Sequence, residues 1–265
     1  MGGSILSGIP YTWDEGLIIL AMVMVLFFAV IIISVRKKIG IAKEYTLALL
    51  RGGAQLFVAA TILYFVFEFE YWYYPVWLII GAMAVMGGYT SAKRAGKMPK
   101  AYRITTPSIL VGATVVLVVL ALTGAMPAKP QFVIPLAGMA FGNAMTICSL
   151  ALNRLIREFE TNRPALETML SLGADSKEAM KEYSRMSVKA ALIPNLDSLK
   201  TLGIIFIPGA MAGLLIAGTD PILAAEYQII VYLMIVGGGI ITSIMAVTLA
   251  RRMVFTDAHQ IAEWV

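Results

Sequence analysis

The chain has 265 residues, 59% of them hydrophobic and only 14% charged, with a net charge of +5. A soluble domain is usually about 45–50% apolar and about 25% charged, so the composition excludes an ordinary globular enzyme, a disordered tail and a basic nucleic-acid-binding domain. One cysteine, Cys148, and one histidine, His259, leave no disulfide framework, no cysteine-based metal centre and no imidazole cluster for catalysis.

An apolar stretch of about 20 residues crosses a bilayer as a helix. Seven such stretches are expected, at residues 17–35, 47–67, 74–90, 108–126, 133–152, 202–218 and 227–250. The first lacks the basic residues that precede the apolar run of a cleavable signal peptide, and Arg36, Lys37 and Lys38 follow it as a stop-transfer pattern. Nineteen of the 21 basic residues fall in segments 36–46, 91–106 and 153–201 and after the last span. All four lie on one side of a seven-span chain. Basic residues concentrate on the cytoplasmic side, which predicts an outside N-terminus and a cytoplasmic C-terminus. The expected fold is therefore an all-α integral membrane protein of about seven transmembrane helices.

The second span carries Arg51 and, one turn on, Gln55. The Arg51 stem either snorkels to the interface or joins Gln55 as a gate or lipid contact. The fifth span holds Gly138 and Gly142, then Asn143, Thr146, Cys148 and Ser149; the sixth holds Gly209 and Gly213. Small residues four apart let helices approach closely, and Pro135 or Pro208 before each pair can kink its helix. Two readings follow: close packing alone, or a flexible helix pair lining a path with Asn143 and Thr146 as polar contacts. No carboxylate is expected in the middle of any span, which weighs against a proton relay. Met83, Met86, Met139, Met145, Met211 and Met234 fall in spans, either as packing or as soft-metal contacts. Cys148 reads as a small buried hydrophobe.

Segment 153–201 is the one long polar excursion. Pro164 suits the first position of a short helix with Leu166, Met169 and Leu170 on one face. Gly173 is expected to end that helix in a left-handed cap. Asp175 with Glu178 then opens a second, amphipathic helix near the membrane, its apolar side formed by Met180, Tyr183 and Ser187 or Val188. Such a helix–glycine–helix knob is what a membrane domain presents to a cytoplasmic partner; the alternative is an interfacial amphipathic helix with none.

Glu167, with Gly173 six residues later inside Leu172-Gly173-Ala174-Asp175, resembles the EAA loop by which ABC-transporter permeases dock on their ATPase. Thr168 and Met169 stand where that loop has two alanines, and Met186 where it has a proline. The chain as a whole is similar to the iron-export permeases of the FetB type, relatives of plant aluminium-tolerance permeases. The similarity runs through Arg51-Gly-Gly-Ala-Gln55, Pro135-Leu-Ala-Gly-Met-Ala-Phe-Gly-Asn143, Pro208-Gly-Ala-Met-Ala-Gly213, Gly218-Thr-Asp-Pro221, Tyr227-Gln228 and His259-Gln260.

That resemblance implies one transmembrane permease domain over residues 1–265, with residues 154–200 as its coupling segment. It implies ATPase contacts at Glu167, Leu172, Gly173, Ala174 and Asp175; the residues of the spans themselves offer Arg51, Gln55, Asn143, Thr146 and Met211 as candidates for the path. The chain has no GxxxxGK[ST] phosphate loop: Gly96-Lys97 is followed by Met98. No cofactor on this chain is implied; ATP belongs to a separate cytoplasmic ABC ATPase, with two copies of the permease in the bilayer. The alternatives are a secondary transporter or channel that needs no ATPase and a membrane-embedded enzyme. The last is weakest, because HExxH, GxSxG and paired intramembrane acids are absent. The substrate is an iron or other metal ion by resemblance only; the residues equally allow a chelated or organic cargo.

Overall fold

The structure is a computed structural model. It describes residues 12–96 and 98–255, apart from the side chain of Trp13; Lys97, His259 and Gln260 lie outside the described residues. Those residues form nine helices: α1 Trp13–Arg36, α2 Ala42–Glu68, α3 Tyr73–Arg94, α4 Tyr102–Leu122, α5 Pro130–Ser171, α6 Ser176–Ala179, α7 Lys181–Thr201, α8 Gly209–Ile216 and α9 Pro221–Val254. Among the described residues there is no strand, only an isolated bridge between Leu202 and Phe206.

Local chemistry sets the helix ends. Glu15 reaches back to accept from the Thr12 N–H at 2.8 Å, opening α1. Pro130 and Pro221 occupy first-turn positions, where a missing N–H costs nothing. The Asp220 carboxylate accepts from the N–H groups of Ile222 and Leu223 at 2.9 and 3.3 Å, closing the N-terminus of α9. Six helices are long and apolar enough to cross a membrane: α1, α2, α3, α4, α5 and α9.

The chain divides into two compact units, residues 1–70 and 71–265. In the first, α1 and α2 are joined through a turn in which Lys38 and Gly40 take positive φ. The apolar side chains of α1, among them Leu17, Ile18, Val25 and Leu26, are well exposed, as a lipid-facing helix requires.

In the second unit the helix directions can be read from paired residues. Met83, Gly87 and Ser91 of α3 meet Gly138, Met145 and Ser149 of α5 in that order, so α3 and α5 are parallel. Asn143, Ile147 and Phe159 of α5 meet Ile235 and Gly239 of α9 and Phe255 at its C-cap, so these two are parallel as well. Helix α4 runs the opposite way: Gly112 and Val116 meet Thr242 and Gly238 of α9. Helix α7 is also antiparallel to α9. Its Ser184–Leu192 stretch lines a groove with Ile244, Val247 and Thr248, while Asn195 lies beside Tyr232. The basic residues Lys93 and Arg94, Lys100 and Arg103, Lys181 and Arg185, and Arg251 and Arg252 consequently gather at one end of this unit.

Three expectations change. The stretch 202–218 is not one helix. Residues 202–208 form a tight loop in which the Thr201 carbonyl accepts from Ile204, Ile205 and Phe206, and only Gly209–Ile216 is helical. Gly203, at φ +79°, supplies the left-handed residue that ends α7. Second, Pro164 does not start a helix. Helix α5 continues through it for 42 residues, because Phe159 and Leu166, seven apart on the same face, are both fully buried. Third, α7 is not confined to the membrane surface; it packs its Ser187 and Ala191 face into the bundle against α5 and α9.

The expected close-packing glycines are not the ones used within the chain. A Cβ at Gly142, Gly209 or Gly213 would meet nothing within 4 Å. At Gly238 it would sit 2.5 Å from Val116 Cγ2 and 3.0 Å from the Gly112 carbonyl oxygen. The α4–α9 crossing therefore depends on Gly112 and Gly238. Gly112→Ala and Gly238→Ala should each lower stability by about 1–3 kcal/mol through overpacking. Gly142→Ala and Gly213→Ala should stay within about 0.5 kcal/mol. Thermal unfolding in detergent separates the two pairs; equal loss in all four would refute this crossing.

Candidate functional site

Two features outside ordinary packing stand out in the second unit. The first is a polar seam where α5, α7 and α9 meet. Asn143 donates from Nδ2 to the Ile235 carbonyl at 3.0 Å. The Tyr232 hydroxyl donates to the Asn195 carbonyl at 3.4 Å. A Cβ on Gly239 would lie 3.0 Å from Asn143 Nδ2 and 3.3 Å from Asn195 Nδ2, so this glycine makes room for two amides arriving from different helices. The Asn195 Nδ2 is buried and has no hydrogen-bond partner. Higher up α9, the buried Gln228 accepts at Oε1 from the Met211 N–H at 3.1 Å. That N–H belongs to the first turn of α8, where the helix offers no acceptor of its own.

The seam lies along the uncharged part of α9. Residues 227–250 of α9 carry no charge, and Ile235 and Gly239 fall at the middle of that run. Asn195 sits beside them, and Asp197 and Lys200 follow it along α7 toward the Pro221 end of α9. The loop and short helix α8, following α7, stand where a single apolar helix was expected.

The second feature is the turn after α5. At 1.5 Å per residue α5 is about 60 Å long, roughly twice the hydrocarbon thickness. Its last turns therefore project well outside the membrane. Gly173 has φ +89°. Its N–H bonds to the Leu170 carbonyl and that of Ala174 to the Met169 carbonyl, both at 3.0 Å, which is the Schellman closure. Asp175 takes the N-cap position of α6, and its carboxylate accepts from the Ser176 hydroxyl at 3.3 Å. Leu166 and Met180 are fully buried behind the turn, holding α5, α6 and the start of α7 together. Each such burial is worth about 1.5–3 kcal/mol. Met180, Tyr183, Ser187 and Val188 do form the inward side. At the tip Leu172 is 83% exposed, with Met169 exposed beside it. Glu167 is held by Arg163 at 2.9 Å in an exposed i,i+4 pair, an interaction weak enough to be exchanged for another partner.

The remaining candidates fall as follows. Arg51 and Gln55 are exposed on α2, in the first unit. Thr146 is exposed and its hydroxyl donates to the Gly142 carbonyl of its own helix at 3.0 Å. Met211 enters through its backbone rather than its sulfur. Met83, Met145 and Met234 pack against the core, whereas Met86 and Met139 are exposed. Cys148 is fully buried, as expected. Among the described residues no group of three or more His, Cys, Asp or Glu side chains could hold a metal ion. Sequence reasoning missed Asn195, Gly239, Tyr232 and Gln228; the run Gly237-Gly238-Gly239 in an apolar span was the available signal.

Comparison with known proteins now places the chain. Residues 17–255 match the uncharacterised protein family UPF0014. The chain belongs to that family. It is 33% identical over 264 residues to the UPF0014 membrane protein STAR2 of Oryza sativa subsp. japonica, covering 97% of this chain and 91% of that protein. It is 32% identical over 249 residues to ALUMINUM SENSITIVE 3 of Arabidopsis thaliana, covering 93% and 90%. It is 33% identical over 242 residues to the probable iron export permease protein FetB of Escherichia coli, covering 91% and 93%. No solved structure matches the chain. Together with its six apolar helices, these relatives make the UPF0014 chain a multi-pass membrane protein of a permease family.

The seam makes a direct prediction for this UPF0014 chain. Asn143→Ala removes the donor to Ile235 and should cost about 0.5–1.5 kcal/mol of stability. Thr146→Val gives up only a bond to its own helix and should cost almost nothing. Melting temperatures in one detergent compare them; no difference would argue that the Asn143 bond does not hold α5 to α9.

Proposed function

We propose that this chain is the membrane subunit of an ATP-binding-cassette transporter that exports iron or another metal ion, with ATP bound and hydrolysed by a separate cytoplasmic subunit. The names of FetB and of ALUMINUM SENSITIVE 3 supply the metal. The observation that carries the reading is the Gly173 turn: a rigid, apolar-tipped knob held far beyond the apolar part of α5. An exposed Leu172 outside the membrane fits a protein cleft better than water. Glu167, Leu172, Gly173, Ala174 and Asp175 make the docking surface in this reading.

The gathering of basic residues at one end of the second unit supports placing that end in the cytoplasm, with the N-terminus outside and the C-terminus inside. ABC ATPases act as pairs, and two knobs then require two permeases, most simply related by a two-fold axis. The seam at Asn143, Asn195 and Tyr232 is the proposed path, with Thr146 and Met211 beside it. Only its amide and phenol oxygens could coordinate a metal ion, and neutral oxygens bind weakly enough to release it.

The test uses the permease purified with its ATPase and reconstituted in vesicles. Gly173→Val places a β-branched residue in a left-handed conformation, a strain of about 1–3 kcal/mol, and deforms the knob. It should leave insertion intact, abolish ATP-driven metal transport and break the coupling of hydrolysis to substrate. Wild-type coupling in Gly173→Val would reject the docking assignment. Transport by the permease alone, without ATP, would instead make it a secondary transporter or channel.

A further inference from the structure

Asn195 enters the seam with its side-chain donor unused. Its Nδ2 is buried and has no hydrogen-bond partner. What ties α7 to α9 at this level is backbone: the Tyr232 hydroxyl donates to the Asn195 carbonyl, not to its amide. An N–H taken out of water and left unpaired destabilises the fold, and an apolar side chain of similar size would not. Packing therefore does not account for an amide at position 195, and a buried polar group without a partner calls for another reason.

The neighbouring residues supply one. Asn143 Nδ2 and Asn195 Nδ2 lie 3.0 and 3.3 Å from a single point, the place a Cβ on Gly239 would take. A side chain there would part the two amides; glycine lets them face each other. Asn143 gives one N–H to the Ile235 carbonyl, and an amide nitrogen has a second to give. Asn195 owns a suitable acceptor in its Oδ1. A half-turn about its Cβ–Cγ bond exchanges Oδ1 for Nδ2, and that torsion is broad and nearly two-fold. All three residues belong to the second unit.

We propose that Asn143 and Asn195 form an amide clamp that is made and broken during transport. It is open here, with Asn143 bonded to α9 alone. It closes when Asn195 Oδ1 turns inward and accepts from Asn143, which then holds α7 and α9 together. The helices that carry it suit it to coupling. Helix α5 leads from Asn143 to the Gly173 turn, and α7 starts behind that turn at Lys181 and returns to Asn195. A movement of the knob that slides α7 along α5 changes this contact directly. Asn195 is thus a positioning residue, acting through Asn143. The clamp rests on the ATP-driven reading above for the source of the movement and names the side chain that answers it.

The test uses the permease with its ATPase in vesicles. Asn195→Leu keeps the size and removes the amide. Its melting temperature should equal or exceed that of the wild type, because nothing bonded to the amide is lost. Metal moved per ATP hydrolysed should fall at least fivefold, at an unchanged half-saturating metal concentration. In a Cys148→Ser background, Asn143→Cys with Asn195→Cys should oxidise to an internal disulfide at rates that differ severalfold between nucleotide-free and ATP-trapped complexes. A melting temperature lowered as far as in Asn143→Ala would overturn the clamp, since the amide would already be bonded. Wild-type transport by Asn195→Leu, or equal oxidation rates in the two states, would overturn it too. A raised half-saturating concentration would overturn it in favour of Asn195 as a cargo contact. Wild-type vesicles that move no metal would reject the cargo proposed above, and the oxidation rates would then decide the clamp alone. A permease that takes up no ATPase overturns both.

Discussion

Two neighbouring helices that run in the same direction cannot be consecutive crossings of a membrane. Helices α5 and α9 are parallel, with Asn143 beside Ile235 and Phe159 beside Phe255. The chain between them must therefore travel back the full way, and α7, the loop and α8 are that return. Everything distinctive in the second unit follows from this constraint. The return path is helical up to Thr201, breaks at Gly203, resumes at Gly209 and closes at Gly218. Non-helical backbone at membrane depth must have its polar groups satisfied. The Thr201 carbonyl and the Gln228 side chain do part of that work from either side of the break.

The return crossing also links the two candidate functional features. Helix α5 carries Asn143 in the seam and leads, 30 residues later, into the Gly173 turn at the knob. Helix α7 starts behind the knob at Lys181 and brings Asn195 back to the seam. The two ends are joined by two helices packed on each other, with Leu155, Phe159, Leu166 and Met180 fully buried near the knob. In the proposed reading, a displacement of the knob by an ATPase reaches the seam as a rigid shift of these helices rather than through a loop. Seam contacts of modest strength, single amide and phenol hydrogen bonds, suit a region that has to rearrange.

Most of the fold was legible because apolar length is a strong signal: six of the seven expected spans coincide with helices, although α4 stops at Leu122, short of residue 126, and α5 runs on to Ser171. Gly173 was legible because a glycine closing an amphipathic segment has one common structural meaning. The return crossing was not, for a physical reason. Lys189, Pro194, Asn195, Asp197 and Lys200 make α7 read as soluble, since hydropathy averages over the helix while only its inward face contacts the bundle. The glycines misled for a related reason. Four-residue spacing marks a smooth helix face without saying whether anything lies against it. Gly209 and Gly213 face open space, whereas Gly112 and Gly238, not part of any expected pair, meet closely. Asn143 was picked out as a polar residue in a span, and its partner on α9 rather than on the sixth span could be known only from the fold.

The path of the chain between α5 and α9 is the claim on which the seam depends. Its most direct test is the sidedness of two engineered cysteines, Ser171→Cys and Thr219→Cys, each in a chain lacking Cys148, probed with a membrane-impermeant maleimide in sealed cells and after permeabilisation. The account predicts opposite sides: position 219 reacts in intact cells and position 171 only after the membrane is opened. Reaction of both positions from the same side would mean that residues 172–220 do not cross, and would contradict the parallel pairing of α5 with α9.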